Sequence, residues 1–235
     1  MIHNMRPKPL FRAKHIIALT LVISVQVTLY ILLSMGGYAS YTGGNPLLPA
    51  QCQYFSKTQG EKFLNLTYRV HKILEQVGID HWLMYGSVFG AIRVQGPLPW
   101  DYDVDIGLNG SEWIASMNLD QFVSAFESQG LKVNQKLWKM KKLLKITTDD
   151  LPLYRVELFV FNNHRGWMKR AGWESWLFWL HYRFYHTFPT QLIIKPLPRV
   201  PFGFFKMPVP RGGIEIQRYL YPYDWWKEVK PVACV

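Results

Sequence analysis

Residues 85–108, YGSVFGAIRVQGPLPWDYDVDIGL, hold two short patterns separated by a Gly-Pro-Leu-Pro turn. The first is the Gly86-Ser87 step. The second is an acidic run of Asp101, Asp103 and Asp105. In Asp103-Val104-Asp105-Ile106 polar and apolar residues alternate, and on a strand successive side chains point to opposite faces. The alternation predicts a strand with both carboxylates on one face and Val104 and Ile106 in the core. Carboxylates this close repel, so a positive charge belongs between them. Carboxylate oxygens suit Mg²⁺ or Mn²⁺, which in turn bridge phosphate oxygens. A Gly-Ser turn at a helix start lets backbone N–H groups approach those phosphates. The plainer reading is an acidic turn followed by an edge strand.

The flanking residues extend both readings. Ile79–Met84 reads as a strand leading into Gly86-Ser87, and Val88–Arg93 as a short helix. Arg93 either holds a phosphate or neutralises the acidic cluster. Asp101 either assists the chemistry, by orienting water or an attacking hydroxyl, or is a turn residue at the strand entry. Upstream, Thr58 to Glu61 has a capping-box pattern. Phe63, Leu66, Val70, Ile73, Leu74 and Val77 then recur at helical spacing, and Gly78 closes the helix. Downstream, Leu119–Ser128 reads as a helix, and Leu131–Trp138 with Leu143–Thr148 as a hairpin. The lysines crowding that hairpin, Lys145 among them, read first as a solvated face. Tyr154–Phe161 is a second alternating strand whose one acid is Glu157. Leu192–Lys195 looks like a strand, followed by a proline-rich turn region and a last short helix from Ile214.

The chain has 235 residues and a formal net charge of +11. That length suits one domain plus a short appendage. The basic balance suits nucleic acid, anionic lipid or anionic small substrates. No helix-turn-helix, RNA-recognition or zinc-finger pattern occurs, which argues against nucleic acid. His181 and His186 lack metal-ligand spacing, so a zinc site is not expected. Cys52 and Cys234 either pair in an oxidising compartment or stay as free thiols.

At the N-terminus, a basic segment without acids precedes an uncharged apolar run, Ile16–Leu33. That run is long enough to span a bilayer, and the positive flank places the remainder in the lumen. The expected organisation is a cytosolic tail 1–15, a transmembrane signal anchor 16–35, a stem 36–57 and a catalytic domain 58–235. A cleaved signal peptide is the alternative to the anchor. Asn65 and Asn109 head glycosylation sequons, with Asn65 the preferred site because Asn109 directly follows the acidic strand. Trp173–Phe184 is either a helix on the membrane surface, a lid, or an insertion packed on the domain.

GSVFGAIR followed by PWDYDVDIG resembles the core motif of the LicD/fukutin family. The similarity continues more weakly through Tyr154–Phe161 and Leu197–Trp225. The resemblance implies an α+β fold, a nucleotidyltransferase-like mixed sheet flanked by helices, here preceded by one transmembrane helix. It implies transfer of a phospho-alcohol, such as ribitol phosphate or phosphocholine, from a CDP-linked donor to a glycan or glycoprotein acceptor. Asp103, Asp105 and Glu157 would hold Mg²⁺ or Mn²⁺, with Asp101 also catalytic. Gly86, Ser87 and Arg93 would contact the donor. A Golgi membrane location, or the endoplasmic reticulum, is the corresponding expectation. The related pattern more often has Asp at position 157 and Gly at position 85. Glu157 is alternatively an edge-strand glutamate paired with Arg155 or a lysine. These departures leave open a catalytically inactive member that binds other glycosylation enzymes. An oligomer or a related transferase partner is also open, as are the donor's alcohol and the acceptor.

Overall fold

The computed structural model describes residues 13, 15–29, 55–172, 186–221 and 225. Most of the expected tail and stem, Cys52, Cys234 and the segment Trp173–Phe184 lie outside the described residues. Residues 15–29 form a helix, α1, whose Ile16, Ile17, Leu19 and Leu21 are each at least 60% exposed. Among the described residues no helix is long and apolar enough to cross a membrane. Residues 30–35 of the expected anchor lie outside the described set.

The larger unit, from Gln51 onward, is a mixed α+β domain. Its first element is the helix α2 (Lys57–Gln76). The capping box sits at Ser56 and Gln59 rather than at Thr58 and Glu61. Gln59 N–H donates to Ser56 Oγ at 3.3 Å, and Ser56 N–H donates to Gln59 Oε1 at 2.8 Å. Ser56-Lys57-Thr58-Gln59 satisfies the same four-residue pattern two positions earlier, so the helix starts sooner. The apolar stripe Phe63, Leu66, Val70, Ile73 and Leu74 is buried, as its spacing requires. Gly78 ends the helix region at φ 73°.

Seven strands form the sheet, with the order β1 (His81–Leu83), β2 (Asp103–Asn109), β5 (Arg155–His164), β4 (Leu143–Thr147), β3 (Lys132–Asn134). β2 and β5 run parallel; the other pairs on this path are antiparallel. β6 (Trp167–Arg170) folds back on β5, and β7 (Thr187–Pro189) pairs with β6. The β5–β6 turn is Arg165-Gly166, both at positive φ, the backbone that matches the strands' twist in a two-residue hairpin. β5 is central, so its apolar residues Val156, Leu158, Val160 and Phe161 are buried.

Helices α3 (Tyr85–Arg93), α4 (Gly110–Ser116) and α5 (Leu119–Glu127) follow β1 and β2, and a single turn, α6 (Trp138–Lys141), joins β3 to β4. Trp113 packs on Phe122 and Trp138, with ring centroids 4.3 and 4.8 Å away. This aromatic cluster secures α4 and α5.

Two later expectations change. Thr190–Ile193 is a 3-10 turn, not part of a strand. Pro189 precedes it and Pro196 follows it, and proline cannot donate to a ladder. The expected turn region instead contains a hairpin, β8 (Arg199–Phe202) and β9 (Phe205–Pro208), closed through Gly203 at φ 64°. Its prolines are tolerated because it is only two strands wide. A 3-10 turn, Gly213–Ile216, leads into the final described helix α7 (Gln217–Leu220).

Candidate active site

The β2–β5 register assembles the acidic face. Asp103 lies opposite Arg155 and Asp105 opposite Glu157, while Val104 and Ile106 are fully buried on the other side. The parallel pair therefore brings together residues about fifty positions apart. β1 and α3 are tied to the same point. Met84 N–H donates to the Asp105 carbonyl at 2.9 Å, and Asp105 N–H donates to Ser87 Oγ at 2.8 Å. Ser87 is buried, and its oxygen is already accepting from the strand. Gly86 lies against the cluster: a Cβ there would sit 3.1 Å from Asp101 Oδ2. The Asp101 carboxylate thus approaches α3 where Gly86 has no side chain.

Tyr85 opens α3 at φ 46°, a left-handed conformation that costs a non-glycine residue about 1–3 kcal/mol. It is held there from three directions. Gln217 Nε2 donates to the Tyr85 carbonyl at 2.5 Å, and the Tyr85 hydroxyl meets His186 Nδ1 at 3.0 Å. The ring packs edge-on to Phe159 at 5.1 Å. Gln217 is wholly buried and lies 132 residues from its partner; nothing in the local sequence marks it.

Basic side chains enter the acidic face from β4 and β5. Arg155 Nη2 donates to Asp103 Oδ2 at 2.7 Å, and its Nε donates to Glu157 Oε1 at 2.6 Å. Lys145 Nζ reaches the same Glu157 oxygen at 2.7 Å. Glu157 is thus paired with both Arg155 and a lysine, and on a central strand, not an edge. Lys142 instead lies over the Trp138 ring, 4.7 Å from its centroid.

The charges respond unevenly. Burial pushes Asp101 well above the carboxylate range, with Asp103 beside it adding to the effect. Burial, then Asp103, Glu157 and Asp101, push Asp105 well above it too. Asp103 is raised by burial against the pull of Asp101 and Arg155. Burial works to raise Glu157 as well, but hydrogen bonds from Lys145 and Arg155 outweigh it and the carboxyl ends below its ordinary value.

The donor set is all carboxylate oxygen, the chemistry of Mg²⁺ or Mn²⁺. Among the described residues no three His, Cys, Asp or Glu side chains form a ready coordination group, and Arg155 stands between Asp103 and Glu157. Asp103 and Asp105 fit a hard cation: Asp103 has one ion-pair partner, Arg155, and Asp105 has none among the described residues. Glu157 fits as a ligand only if Arg155 and Lys145 release it.

Other expected site residues fall elsewhere. Arg93 is at the far end of α3, about 10 Å along the axis from Gly86, with its guanidinium 4.5 Å from the centroid of the Phe89 ring. Asn109 is half-buried; its Oδ1 accepts from Ser111 N–H at 3.2 Å, capping α4. Asn65 is exposed on α2.

Comparison with known proteins bears on the same region. The family described as LicD/FKTN/FKRP, nucleotidyltransferase domain, matches residues 78–212. The human protein named ribitol 5-phosphate transferase FKRP is 27% identical over 144 residues, 60% of this chain and 27% of its own length. An uncharacterized protein of Rickettsia prowazekii (strain Madrid E), RP689, is 27% identical over 176 residues, 73% of this chain and 59% of its own. The chain therefore spans about a quarter of the FKRP relative's length. Among solved structures, the lincosamide antibiotic adenylyltransferase LnuA, lincomycin-bound, aligns with a TM-score of 0.42 at 11% identity, covering 73% of this chain and 87% of that one. The family match takes in Gly86, Ser87, Asp101, Asp103, Asp105 and Glu157 and covers more than half of the sequence; this chain belongs to the LicD/FKTN/FKRP nucleotidyltransferase-domain family.

Proposed function

We propose that this protein is a metal-dependent transferase of phosphorus-containing groups. It moves a phospho-alcohol from a CDP-linked donor to a sugar hydroxyl of a glycan or glycoprotein. The observation that carries the reading is the β2–β5 register, which sets Asp103 and Asp105 beside Glu157, with Asp101 against Gly86. Family membership and the ribitol-phosphate transferase relatives support the reaction class.

Bound Mg²⁺ or Mn²⁺, held by Asp103 and Asp105, would neutralise charge on the donor's phosphate oxygens. The chain's own residues do the rest by positioning. The α3 start, with Gly86, offers backbone N–H groups to the pyrophosphate, while Ser87 fixes the strand that carries Asp105. The acceptor oxygen bonds to the transferred phosphorus as the bond to CMP breaks. The hydroxyl proton passes to Asp101, the carboxylate that lies against Gly86 at the start of α3. A signal anchor at residues 16–35, with the domain in the Golgi or endoplasmic-reticulum lumen, is the matching placement in the cell.

The test is CMP release by the whole chain in detergent. CDP-ribitol, CDP-glycerol and CDP-choline are supplied in turn, with Mn²⁺ and a mixed phosphoglycan acceptor pool. Metal-dependent release that disappears in Asp105→Asn is the expected result. Burial and the neighbouring Asp103, Glu157 and Asp101 act against the Asp105 charge more than Arg170 favours it, so Asp105→Asn should fold at least as stably as wild type. The pairing of Glu157 with Arg155 and Lys145 favours a second reading, an inactive member that binds partner enzymes. No release from any donor, with a cellular role that survives Asp103→Asn plus Asp105→Asn, would select it.

A further inference from the structure

The acidic face is divided in its charge compensation. Glu157 Oε1 takes hydrogen bonds from Arg155 Nε at 2.6 Å and from Lys145 Nζ at 2.7 Å. Arg155 continues through Nη2 to Asp103 Oδ2 at 2.7 Å. Its guanidinium carbon lies 5.0 Å from the centroid of the Tyr102 ring, a cation–π contact that holds the planar group. All three partners are well covered: the Arg155, Asp103 and Glu157 side chains are 25%, 20% and 10% exposed. Asp105, the register partner of Glu157, has no basic side chain at ion-pair distance among the described residues. Positive charge is therefore supplied by direct ion pairs at Glu157, whereas Asp105 feels Arg170 of β6 without an ion pair to it among the described residues.

We propose that the site takes one divalent cation, on Asp103 and Asp105, and that Arg155 serves as a built-in second cation that binds the donor's phosphate. This rests on the phosphotransfer reading above. Two-ion sites clamp the phosphate between both metals; here a guanidinium stands beside the first ion's carboxylates instead. Arginine suits that place because its charge is permanent. Nε and Nη2 are spent on carboxylates, and the remaining N–H groups of the fork are geometrically matched to phosphate oxygens. Glu157 is then a positioning residue. It orients Arg155, with Lys145 as its second partner, and does not coordinate metal. The extra methylene of glutamate over aspartate lets its carboxylate reach both cations.

The experiment uses the whole chain in detergent and needs no turnover. Mn²⁺ binding is followed through the paramagnetic resonance signal of the free ion. Inorganic pyrophosphate binding is then measured by calorimetry with Mn²⁺ present. Wild type should bind one Mn²⁺ per chain, and Asp105→Asn should weaken that binding by roughly tenfold to a hundredfold. Glu157→Gln and Arg155→Met should hold Mn²⁺ about as tightly as wild type. Arg155→Met should lose pyrophosphate affinity by roughly tenfold to a hundredfold, the scale of a charge-assisted hydrogen bond. Arg155→Lys, which keeps the charge without the fork, should lose less, and it carries the test if the methionine variant does not fold. A merely structural Glu157 would not separate pyrophosphate affinity from metal affinity, whereas Glu157→Gln should weaken pyrophosphate alone.

Two results overturn the assignment while leaving phosphotransfer standing. One is a second Mn²⁺ that Glu157→Gln removes, or metal loss in Glu157→Gln equal to that in Asp105→Asn. The other is unchanged pyrophosphate binding in both Arg155 variants. Failure of the folded wild-type protein to bind Mn²⁺ would overturn the metal reading itself, and this assignment with it.

Discussion

His71 of α2 and His81 of β1 form a buried pair whose neutrality sets a pH dependence on folding. The rings are 3% and 5% exposed. His81 Nδ1 lies 2.9 Å from the Ile79 carbonyl, which can only accept, so that nitrogen carries the proton. His81 Nε2 is then bare and accepts from His71 Nδ1 at 2.7 Å. Burial chiefly, then His81, brings His71 down to about 4, against the attraction of Glu75 at 3.4 Å. Arg199 and Lys72, the other charges facing the pair, both oppose protonation of His71. They also bond to Glu75 at 2.6 Å. Burial of Glu75 acts to raise its carboxyl, but those hydrogen bonds prevail and hold it at about 2, so it titrates below the window of interest.

The sign follows from proton counting. Between pH 6.5 and about 4 the unfolded chain carries a proton on residue 71 that the folded chain does not, so acid favours unfolding. Linkage over these values removes roughly 2 kcal/mol between pH 7 and pH 5. The raised carboxyls of Asp101 and Asp105 pull the other way, since they bind protons more readily when folded. The informative quantity is therefore the wild-type loss minus the loss in His71→Gln. Urea unfolding of both proteins at pH 7 and pH 5, followed by tryptophan fluorescence, measures it. A His71→Gln protein that loses as much stability on acidification as wild type would refute the buried neutral pair. So would a ring titration of His71 near its ordinary value.

Two further outcomes are expected. Gly90→Ala drives a Cβ into the Gly96 carbonyl oxygen, a clash between two backbone segments. It should lower stability by about 1–3 kcal/mol, read as a drop in melting temperature. In cells with a eukaryotic secretory pathway, Asn65→Gln should remove one N-linked glycan by mass. Asn109→Gln should remove none, because that side chain caps α4 and is half-buried.

Period-two alternation in Asp103–Ile106 was legible because β2 buries one face completely and leaves carboxylates on the other. Tyr154–Phe161 was legible as a strand, but Val156–Phe161 are buried without interruption because β5 lies between β2 and β4, a position that depends on the distant strands. Boundaries were less legible. Two overlapping four-residue caps at Ser56 and Thr58 are chemically alike, and the tertiary contact decided between them: a Cβ at Gly60 would meet the Phe55 ring at 2.9 Å. Leu192–Lys195 carries strand-like residues, yet Pro189 and Pro196 leave it no ladder to join. Within the site, the acids could be named in advance, and Arg155 and a lysine could be named as partners for Glu157. Which lysine it would be depended on β4 lying antiparallel to β5 with Lys145 opposite Glu157. Gln217 carried no signal, because its one role is to grip a carbonyl from a distant turn.

The parallel pairing of β2 with β5 has a consequence for how the protein matures. Antiparallel neighbours can zip from a local turn, but this pair must close a connection running from Asn109 to Arg155 before any of its hydrogen bonds form. Such long-range closure is entropically late in folding. A nascent chain that has emerged only through Thr148 carries the whole acidic motif with β1 beside it, yet lacks β5 on the other side and has no Arg155 to balance Asp103. Binding competence should arise in one step, when residues 155–161 dock, and not grow gradually with chain length.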